Sequence, residues 1–255
     1  MSSGVARSNA PQAVAPVWME TEIIGKKPIT PTITAFRFAV PWGASFLPGQ
    51  CIDFRLTAED GYMAQRYYSI ATAPSGDKAI EVMVERQEGG EVSPFFHDTL
   101  SIGDVVEVRG PVGAPFTWRE TDPGPILLIG GGSGVVPVLS MARHRFATGC
   151  KTPFTLIYSV KREADVLARE ELLAFAKADP DFQLIVTVTR ESTASAPFKT
   201  GRVNRELIKS SLRGSWFWPE TAFICGSNAF VGDVSDMLLE EEMEMHQVRT
   251  ERFGG

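Results

Sequence analysis

Cysteine is scarce in this chain of 255 residues, and its three cysteines stand far apart at Cys51, Cys150 and Cys225. An odd number without any CxxC spacing excludes a disulfide framework. The same spacing excludes the cysteine sets that hold zinc or iron–sulfur clusters, so we expect no metal site. The chain is therefore expected to work in a reducing compartment, with the cytoplasm as its location.

Basic residues are also in deficit. Lysine and arginine number 25 against 31 aspartates and glutamates, which gives a formal net charge of −6. A general nucleic-acid surface needs clustered cations to neutralise phosphates. We therefore expect no nucleic-acid partner.

Long hydrophobic runs are missing except for "ILLIGGGSGVVPVLSMA" at 126–142. Its glycines and Pro137 make a poor membrane helix, whereas a strand, a glycine-rich turn and a helix account for all of it. The start of the chain, 1–17, is rich in Ala, Ser and Pro but has no apolar core, so it predicts a flexible tail and not a secretion signal. No membrane span is expected.

The first half of the chain has the alternating pattern of β-strands. Strands are predicted at 32–40, 51–56, 79–86 and 104–110, and the stretch "QRYYS" at 65–69 forms a further one. Turn clusters between them are spaced as in an antiparallel barrel or sandwich. One short helix is expected, with Ser93 as its N-cap and Pro94 in its first turn. We predict an antiparallel β-barrel domain over 18–119.

After the polar connection "RETDPGP", strands and helices alternate to the end of the chain. The strands are "ILLIG", "FTLIYSV", "FQLIVTVT" and "TAFICG", each followed by a helical pattern. This alternation predicts a doubly wound parallel sheet of the α/β class over 123–255.

Two glycine-rich pieces of the second half carry chemistry. The turn with Gly131, Gly132 and Gly134 leads a strand into a helix, where free N–H groups and the positive helix end attract phosphate. A purely structural tight turn is the alternative. Cys225 and Gly226 end a later strand and are expected in the same crevice, although Cys225 alone also fits a small buried apolar residue.

The order of these parts resembles the ferredoxin–NADP reductase superfamily over about residues 18–255. The resemblance rests on the following motifs: Arg66-x-Tyr68-Ser69, Gly90-x-Val92-Ser93, Gly110-Pro111-x-Gly113-x-x-Phe116, Gly131-Gly132-x-Gly134-x-x-Pro137, Cys225-Gly226 and Glu251-x-Phe253-Gly254. In its short form and its ending "RTERFGG" the chain is most similar to the flavin reductase units that serve bacterial oxygenases and flavohaemoglobins.

The resemblance implies a flavin on the first half. Arg66 would pair with the flavin phosphate, Tyr68 would lie along the ring or ribityl chain, and Ser69 would reach the N5 edge. The alternative is a solvated Arg66 beside tyrosines that fill the barrel wall. Gly90, Val92 and Ser93 would offer N–H groups to the pyrophosphate, or would simply cap a helix. We expect FAD, with FMN as the alternative.

The resemblance also implies roles at the end of the chain and at the nucleotide. Phe253 would cover the flavin ring and Glu251 would lie near the hydride-transfer region with Cys225, unless the terminus is frayed. Ser159, Lys161 and Arg162 stand at the end of the second strand of the second half, where such residues favour NADPH over NADH. A solvated basic strand end is the alternative for these residues.

The function that the resemblance implies is a flavin-dependent NAD(P)H oxidoreductase. A hydride would pass from NAD(P)H to bound FAD, and single electrons would then go to a separate ferredoxin or oxygenase component. A flavin reductase that releases reduced flavin, or a non-catalytic flavin- or nucleotide-binding regulatory module, are the alternatives. A dehydrogenase without flavin would leave the barrel unexplained.

Overall fold

The structure is a computed structural model, and it describes residues 17–40, 45–113, 115–193, 195–214 and 218–253. The predicted flexible tail lies outside the described residues, except for Val17. Gly254 of the terminal motif lies outside them as well.

The first half is an antiparallel six-stranded sheet in the order β4-β3-β6-β1-β2-β5. Its elements are β1 Met19–Pro28, β2 Ile33–Ala39, β3 Cys51–Thr57, β4 Met63–Ser69, β5 Ala79–Glu85, helix α1 Val92–Asp98 and β6 Val105–Val112. A bridge between Ile70 and Val82 joins the two edges and curls the sheet into a barrel. Its core is aromatic, because the rings of Phe36, Phe38 and Phe54 meet that of Phe96 from α1.

Two details of the barrel differ from expectation. Strand β1 has no place among the predicted strands, because one of the residues that it buries is the polar Thr21, which breaks the apolar alternation around Ile23. The N-cap prediction for Ser93 is wrong. Helix α1 begins at Val92, and the Ser93 hydroxyl instead accepts a hydrogen bond from the backbone N–H of Gln87 at 3.0 Å.

The second half is a parallel six-stranded sheet in the order β10-β9-β8-β7-β11-β12. Its elements are β7 Ile126–Gly131, α2 Val135–Thr148, β8 Phe154–Val160, α3 Arg169–Ala178, β9 Phe182–Val188, β10 Phe198–Thr200, α4 Arg205–Gly214, β11 Thr221–Ser227, α5 Asn228–Glu240 and β12 Val248–Phe253. Helices α2 and α3 pack on one face, and α4 and α5 on the other, which is the doubly wound arrangement. The strand order reverses between β7 and β11, so the ligand crevice of such sheets lies at their carboxyl ends.

One of the hydrophobic clusters extends across both halves. Ala71, Met83 and Phe116 from the first half are buried together with α2. Two hydrogen bonds fasten the same contact: the Ser140 hydroxyl donates to the carbonyl of Thr72 at 2.6 Å, and the Arg143 guanidinium donates to that of Ala71 at 2.9 Å. Buried packing of this kind holds the barrel and the parallel sheet in one relative position.

Among the described residues, no helix combines the length and the apolar character needed to cross a bilayer.

Candidate functional site

Strand β4 places a cation and a phenol on one side of the barrel edge. The ring of Tyr68 packs against Phe54 and Phe96 at centroid distances of 5.7 and 5.5 Å. Burial raises the pKa of Tyr68 to about 12, so its hydroxyl stays protonated and can donate. Arg66 is exposed, and its guanidinium donates to the carbonyl of the adjacent Gln65 at 2.7 Å. Among the described residues no carboxylate forms a salt bridge with Arg66, which leaves this cation available to an anion.

The turn into α1 lies along the same edge of the barrel. Gly90 is tightly placed, because a Cβ there would lie 3.2 Å from the carbonyl of Gln87 and 3.4 Å from the Ser93 hydroxyl. Val92 and Ser93 are buried in the first turn of the helix. Beside them the Tyr62 hydroxyl donates to the Glu91 carboxylate at 3.0 Å. The atoms of this turn thus lie close to one another around Gly90. Such close packing suits a turn that binds a phosphate, and it equally suits the start of a helix.

The glycine-rich turn between β7 and α2 is shaped partly by packing. A Cβ on Gly134 would lie 2.4 Å from the carbonyl oxygen of Cys225, and one on Gly131 would lie 2.8 Å from the ring of Phe230. Gly132 has a φ of +58°, and the space in front of its Cα is open. The turn is therefore compact on the side of β11 and open at Gly132, where a ligand has access.

Strand pairing brings the predicted reacting residues to the junction of the halves. Cys225 lies opposite Glu251 in the β11–β12 pair, and Ser69 lies opposite Cys51 in the β3–β4 pair. Glu251 raises the pKa of both cysteines, and Cys51 also raises that of Cys225, although burial is the larger cause for each. Cys51, Cys225 and Glu251 thus lie near one another, and Ser69 adjoins this group through its pairing with Cys51.

The electrostatics of this cluster follow from burial. Desolvation raises the pKa of Cys51 to about 12 and that of Cys225 well above its ordinary value, so both remain thiols. Desolvation also raises the pKa of Glu251 to about 7. The Oε2 atom of Glu251 is buried and has no hydrogen-bond partner among the described residues. A buried polar atom of this kind fits a site that a ligand completes.

Cys51 is the member of this cluster that the sequence reasoning missed. Its thiol donates weakly to the carbonyl of Val112, with 3.6 Å between sulfur and oxygen. Pairing the two strands around the turn at residues 58–62 would have set Cys51 opposite Ser69, because directly opposed residues share a face of the sheet.

The end of the chain is an ordered strand up to Phe253. The Arg249 guanidinium donates to the carbonyl of Thr117 at 2.9 Å, which ties β12 to the connection between the halves. Phe253 lies opposite Ser227 and has 37% of its surface exposed. Its ring is therefore still available to cover a ligand.

The basic residues after β8 lie next to the phosphate turn. Ser159 pairs with Gly131 across β7 and β8. Lys161 and Arg162 follow it with exposed side chains. Gly226 is buried at the end of β11, where a Cβ would lie 2.6 Å from the ring of Phe230. Ser159, Lys161 and Arg162 thus lie at the carboxyl end of β8, and Gly226 lies at that of β11.

These features fit a flavin on the barrel and a dinucleotide on the parallel sheet. The barrel edge offers an exposed guanidinium, a neutral phenol and a close backbone turn, and the second half offers an open glycine turn at the reversal of strand order. Two known domain families match the chain, one in each half. An oxidoreductase FAD-binding domain matches residues 20–117, and an oxidoreductase NAD-binding domain matches residues 128–236. The chain belongs to the ferredoxin–NADP reductase superfamily.

Relatives of this superfamily member include reductase components of oxygenase systems. It is 32% identical over 202 residues to the ferredoxin–NAD(P)+ reductase component of the naphthalene 1,2-dioxygenase/salicylate 5-hydroxylase systems from Ralstonia sp., which covers 79% of the chain and 58% of the relative. It is 30% identical over 181 residues to the reductase component of propane 2-monooxygenase from Mycolicibacterium goodii, covering 70% of the chain and 51% of the relative. The chain thus matches little more than half the length of these relatives.

Solved structures share the two-domain fold. The ferredoxin–NADP+ reductase of Neisseria gonorrhoeae with bound FAD and NADP superposes with a TM-score of 0.79 at 23% identity, over 92% of this chain and 98% of that one. The FAD/NAD-binding domain of nitric oxide dioxygenase from Vibrio cholerae superposes with a TM-score of 0.78 at 21% identity, over 92% and 98% of the two chains. The predicted barrel followed by a doubly wound sheet is therefore confirmed.

Metal ligands are not clustered in the described part of the chain, where no group of three or more His, Cys, Asp or Glu side chains is placed to hold an ion.

Proposed function

We propose that this chain is an NAD(P)H-dependent flavoprotein reductase that passes a hydride from NAD(P)H to bound FAD and then single electrons to a separate acceptor. Residues 18–119 would form the flavin domain and 123–255 the nucleotide domain. The observation that supports the proposal lies at their junction, where Glu251 of the parallel sheet acts on Cys225 beside it and on Cys51 of the barrel, the strand partner of Ser69.

The barrel edge would hold the flavin. The Arg66 guanidinium would make charge-assisted hydrogen bonds to its phosphate, and the neutral Tyr68 would pack against its ring or ribityl chain. The N–H groups around Gly90, Val92 and Ser93 would donate to the pyrophosphate. Two phosphate contacts favour FAD over FMN. When bound, the flavin supplies the redox chemistry, and the protein supplies binding and orientation.

The crevice between β7 and β11 would hold the nicotinamide nucleotide. Backbone N–H groups at Gly131, Gly132 and Gly134 would donate to its pyrophosphate at the start of α2. Gly226 would let the nucleotide approach the end of β11. Ser159, Lys161 and Arg162 would surround the adenosine ribose and its 2′ substituent.

The junction cluster would orient the reacting rings. Ser69 would donate a hydrogen bond at the flavin N5 edge, and Cys225 would provide a neutral, close wall for the nicotinamide. Glu251 would hold charge or a proton beside that ring, and Phe253 would cover the flavin face until the nicotinamide replaces it.

The acceptor is proposed to be a separate protein domain such as a ferredoxin or an oxygenase component. The names of the relatives describe them as reductase components of oxygenase systems. The three cysteines of this chain cannot make up the four thiolates of a ferredoxin-type cluster, which supports an acceptor separate from these two domains.

Anaerobic titration of the purified protein tests the proposal. We expect a flavin absorption band, and bleaching of that band on adding NADPH or NADH. Protein that gains no band with FAD or FMN would remove the flavin assignment, and a band that neither nucleotide bleaches would favour a binding module without catalysis. Loss of flavin on gel filtration would favour a reductase that releases reduced flavin. Candidate acceptors are then screened with the reduced protein.

The choice of nucleotide is tested at the end of β8. Replacing Lys161 and Arg162 together by Ala is expected to weaken NADPH binding about 10-fold and NADH binding less than threefold, because the two exposed cations would pair with the 2′-phosphate that NADH lacks. Dissociation constants for NADP+ and NAD+ are compared with those of an Arg119→Ala control. Equal weakening of both nucleotides would show that these residues do not read the 2′ position.

A further inference from the structure

A carboxylate from the barrel touches the phosphate turn of the nucleotide half. The hydroxyl of Ser133, in the middle of the turn Gly132–Gly134, donates to Oε2 of Glu85 at 2.7 Å. Glu85 is the last residue of β5 and is half-buried. This acid is therefore held at the point where a dinucleotide's negative charge has to be accommodated.

Glu85 differs from the other acid on the same face of β5. Glu81, Met83 and Glu85 alternate toward the nucleotide half, with Met83 in the shared core. The Glu81 carboxylate lies 3.3 Å from the Arg143 guanidinium, which compensates its charge. Among the described residues no cation forms a salt bridge with Glu85. The negative charge of Glu85 therefore has no paired cation at the edge of the turn.

A bound pyrophosphate and this acid would compete. The Ser133 hydroxyl has a single proton to donate, so it serves either the Glu85 carboxylate or a phosphate oxygen. A pyrophosphate in the turn would also meet Glu85 as a like charge in a partly buried place, where electrostatic repulsion is stronger than in water.

We propose that Glu85 is an affinity-setting residue that weakens the binding of the nucleotide pyrophosphate and so favours release of the oxidised nucleotide. The inference rests on the proposed function only in taking this turn as the pyrophosphate site. Glu85 acts through charge and through Ser133, and it need not touch the nicotinamide. If Glu85 only linked the two halves through Ser133, its replacement would lower the stability of the protein and would not tighten nucleotide binding.

The probe is ADP-ribose, which carries the pyrophosphate but cannot exchange a hydride, with calorimetric titration of the FAD-loaded protein. Glu85→Gln is expected to bind it about 5- to 20-fold more tightly, the size expected from removing one like-charge contact at a partly exposed site. Glu85→Asp keeps the charge and is expected to stay within about twofold of the wild type. Glu88→Gln, an exposed acid in the following turn, is the matched control and should leave binding unchanged.

Two further measurements test whether Glu85 acts through its charge and through Ser133. The advantage of Glu85→Gln should shrink as salt is raised, because screening reduces repulsion in the wild type. Ser133→Ala should weaken ADP-ribose binding more in the Glu85→Gln protein than in the wild type, where the hydroxyl is already engaged. Unchanged or weaker binding by Glu85→Gln, or equal effects of Ser133→Ala in both backgrounds, would overturn the inference. Failure of NAD(P)H to reduce the flavin would count against the proposed function alone, since ADP-ribose binding is measured without turnover.

Discussion

At the scale of single residues, burial sets the protonation of several groups at the junction of the two halves. Cys51, Cys225 and Tyr68 keep their protons, because desolvation raises the pKa of each of them. Glu251 differs from these three, since its pKa of about 7 lets it change charge near neutral pH. The charge of Asp53 also acts on Cys51, so Glu251 is the acid of this region whose own charge changes near neutral pH.

The pH dependence of stability tests this assignment. Glu251 has a folded-state pKa of about 7 against an ordinary value of 4.5, so between these values the folded state binds more protons than the unfolded state. Stability then falls as pH rises through this window. We expect the wild type to lose about 1–2 kcal/mol more than Glu251→Gln between pH 5 and pH 8, a value reduced for partial exposure. Urea unfolding at a fixed concentration of FAD measures the free energy of unfolding of both proteins at each pH. Parallel pH profiles of the two proteins would contradict the assignment.

At the scale of elements, buried apolar patterns make some strands easy to predict from the sequence. β5 and β7 bury only apolar residues and glycine, whereas the buried Thr21 interrupts the pattern of β1. One buried polar residue does not always hide a strand, because β3 is predicted although it buries Asp53. β12 was hidden because Glu251 faces inward at a position where a strand of this kind normally has an apolar residue. β10 is three residues long and too short to give a periodic pattern.

The glycine turn was predicted for its phosphate chemistry, but sequence could not show how it packs. Its closeness to Cys225 depends on the pairing of β7 with β11, which lie far apart in the chain. Similarly, the cluster of Ser69, Cys51 and Glu251 depends on contacts between the two halves. The residue types in the sequence indicate which residues are candidates for the site. The pairing of strands far apart in the chain decides which of these candidates lie close together.

Gly134 gives a prediction at this scale. A methyl group at Gly134 would lie 2.4 Å from the Cys225 carbonyl oxygen, so the turn or β11 must shift. We expect Gly134→Ala to cost about 2–3 kcal/mol of stability, as overpacking does, and to weaken ADP-ribose binding about 10-fold. Gly132→Ala is the control: its φ is positive but its Cβ would meet open space, so the cost should be about 1 kcal/mol. Equal costs for the two variants would show that the contact with β11 is not limiting.

At the scale of the whole molecule, the two halves unfold as one unit if their shared contacts are strong enough. Arg143 of α2 is central to these contacts. Its guanidinium lies 2.8 Å from the Glu171 carboxylate within the nucleotide half, and it also bonds to the Ala71 carbonyl and to Glu81 of the barrel. None of this was visible in the sequence, where Arg143 reads as an ordinary residue of an amphipathic helix.

Removing this side chain should therefore loosen the halves from each other. Arg143→Ala leaves two partly buried carboxylates and a carbonyl without their donor, and we expect a loss of about 2–4 kcal/mol. Because the barrel and the parallel sheet each keep their own core, the single calorimetric transition expected of the wild type should separate into two.

The control for this variant is Arg86→Ala, whose guanidinium pairs with Asp98 at 2.7 Å on the surface of the barrel half alone. It is expected to change stability by less than about 0.5–1 kcal/mol and to leave one transition. One transition for Arg143→Ala at a midpoint close to that of the wild type would mean that the shared apolar core alone couples the halves. In that case the junction cluster would be held in place by Met83, Phe116 and their neighbours, with no contribution from the arginine.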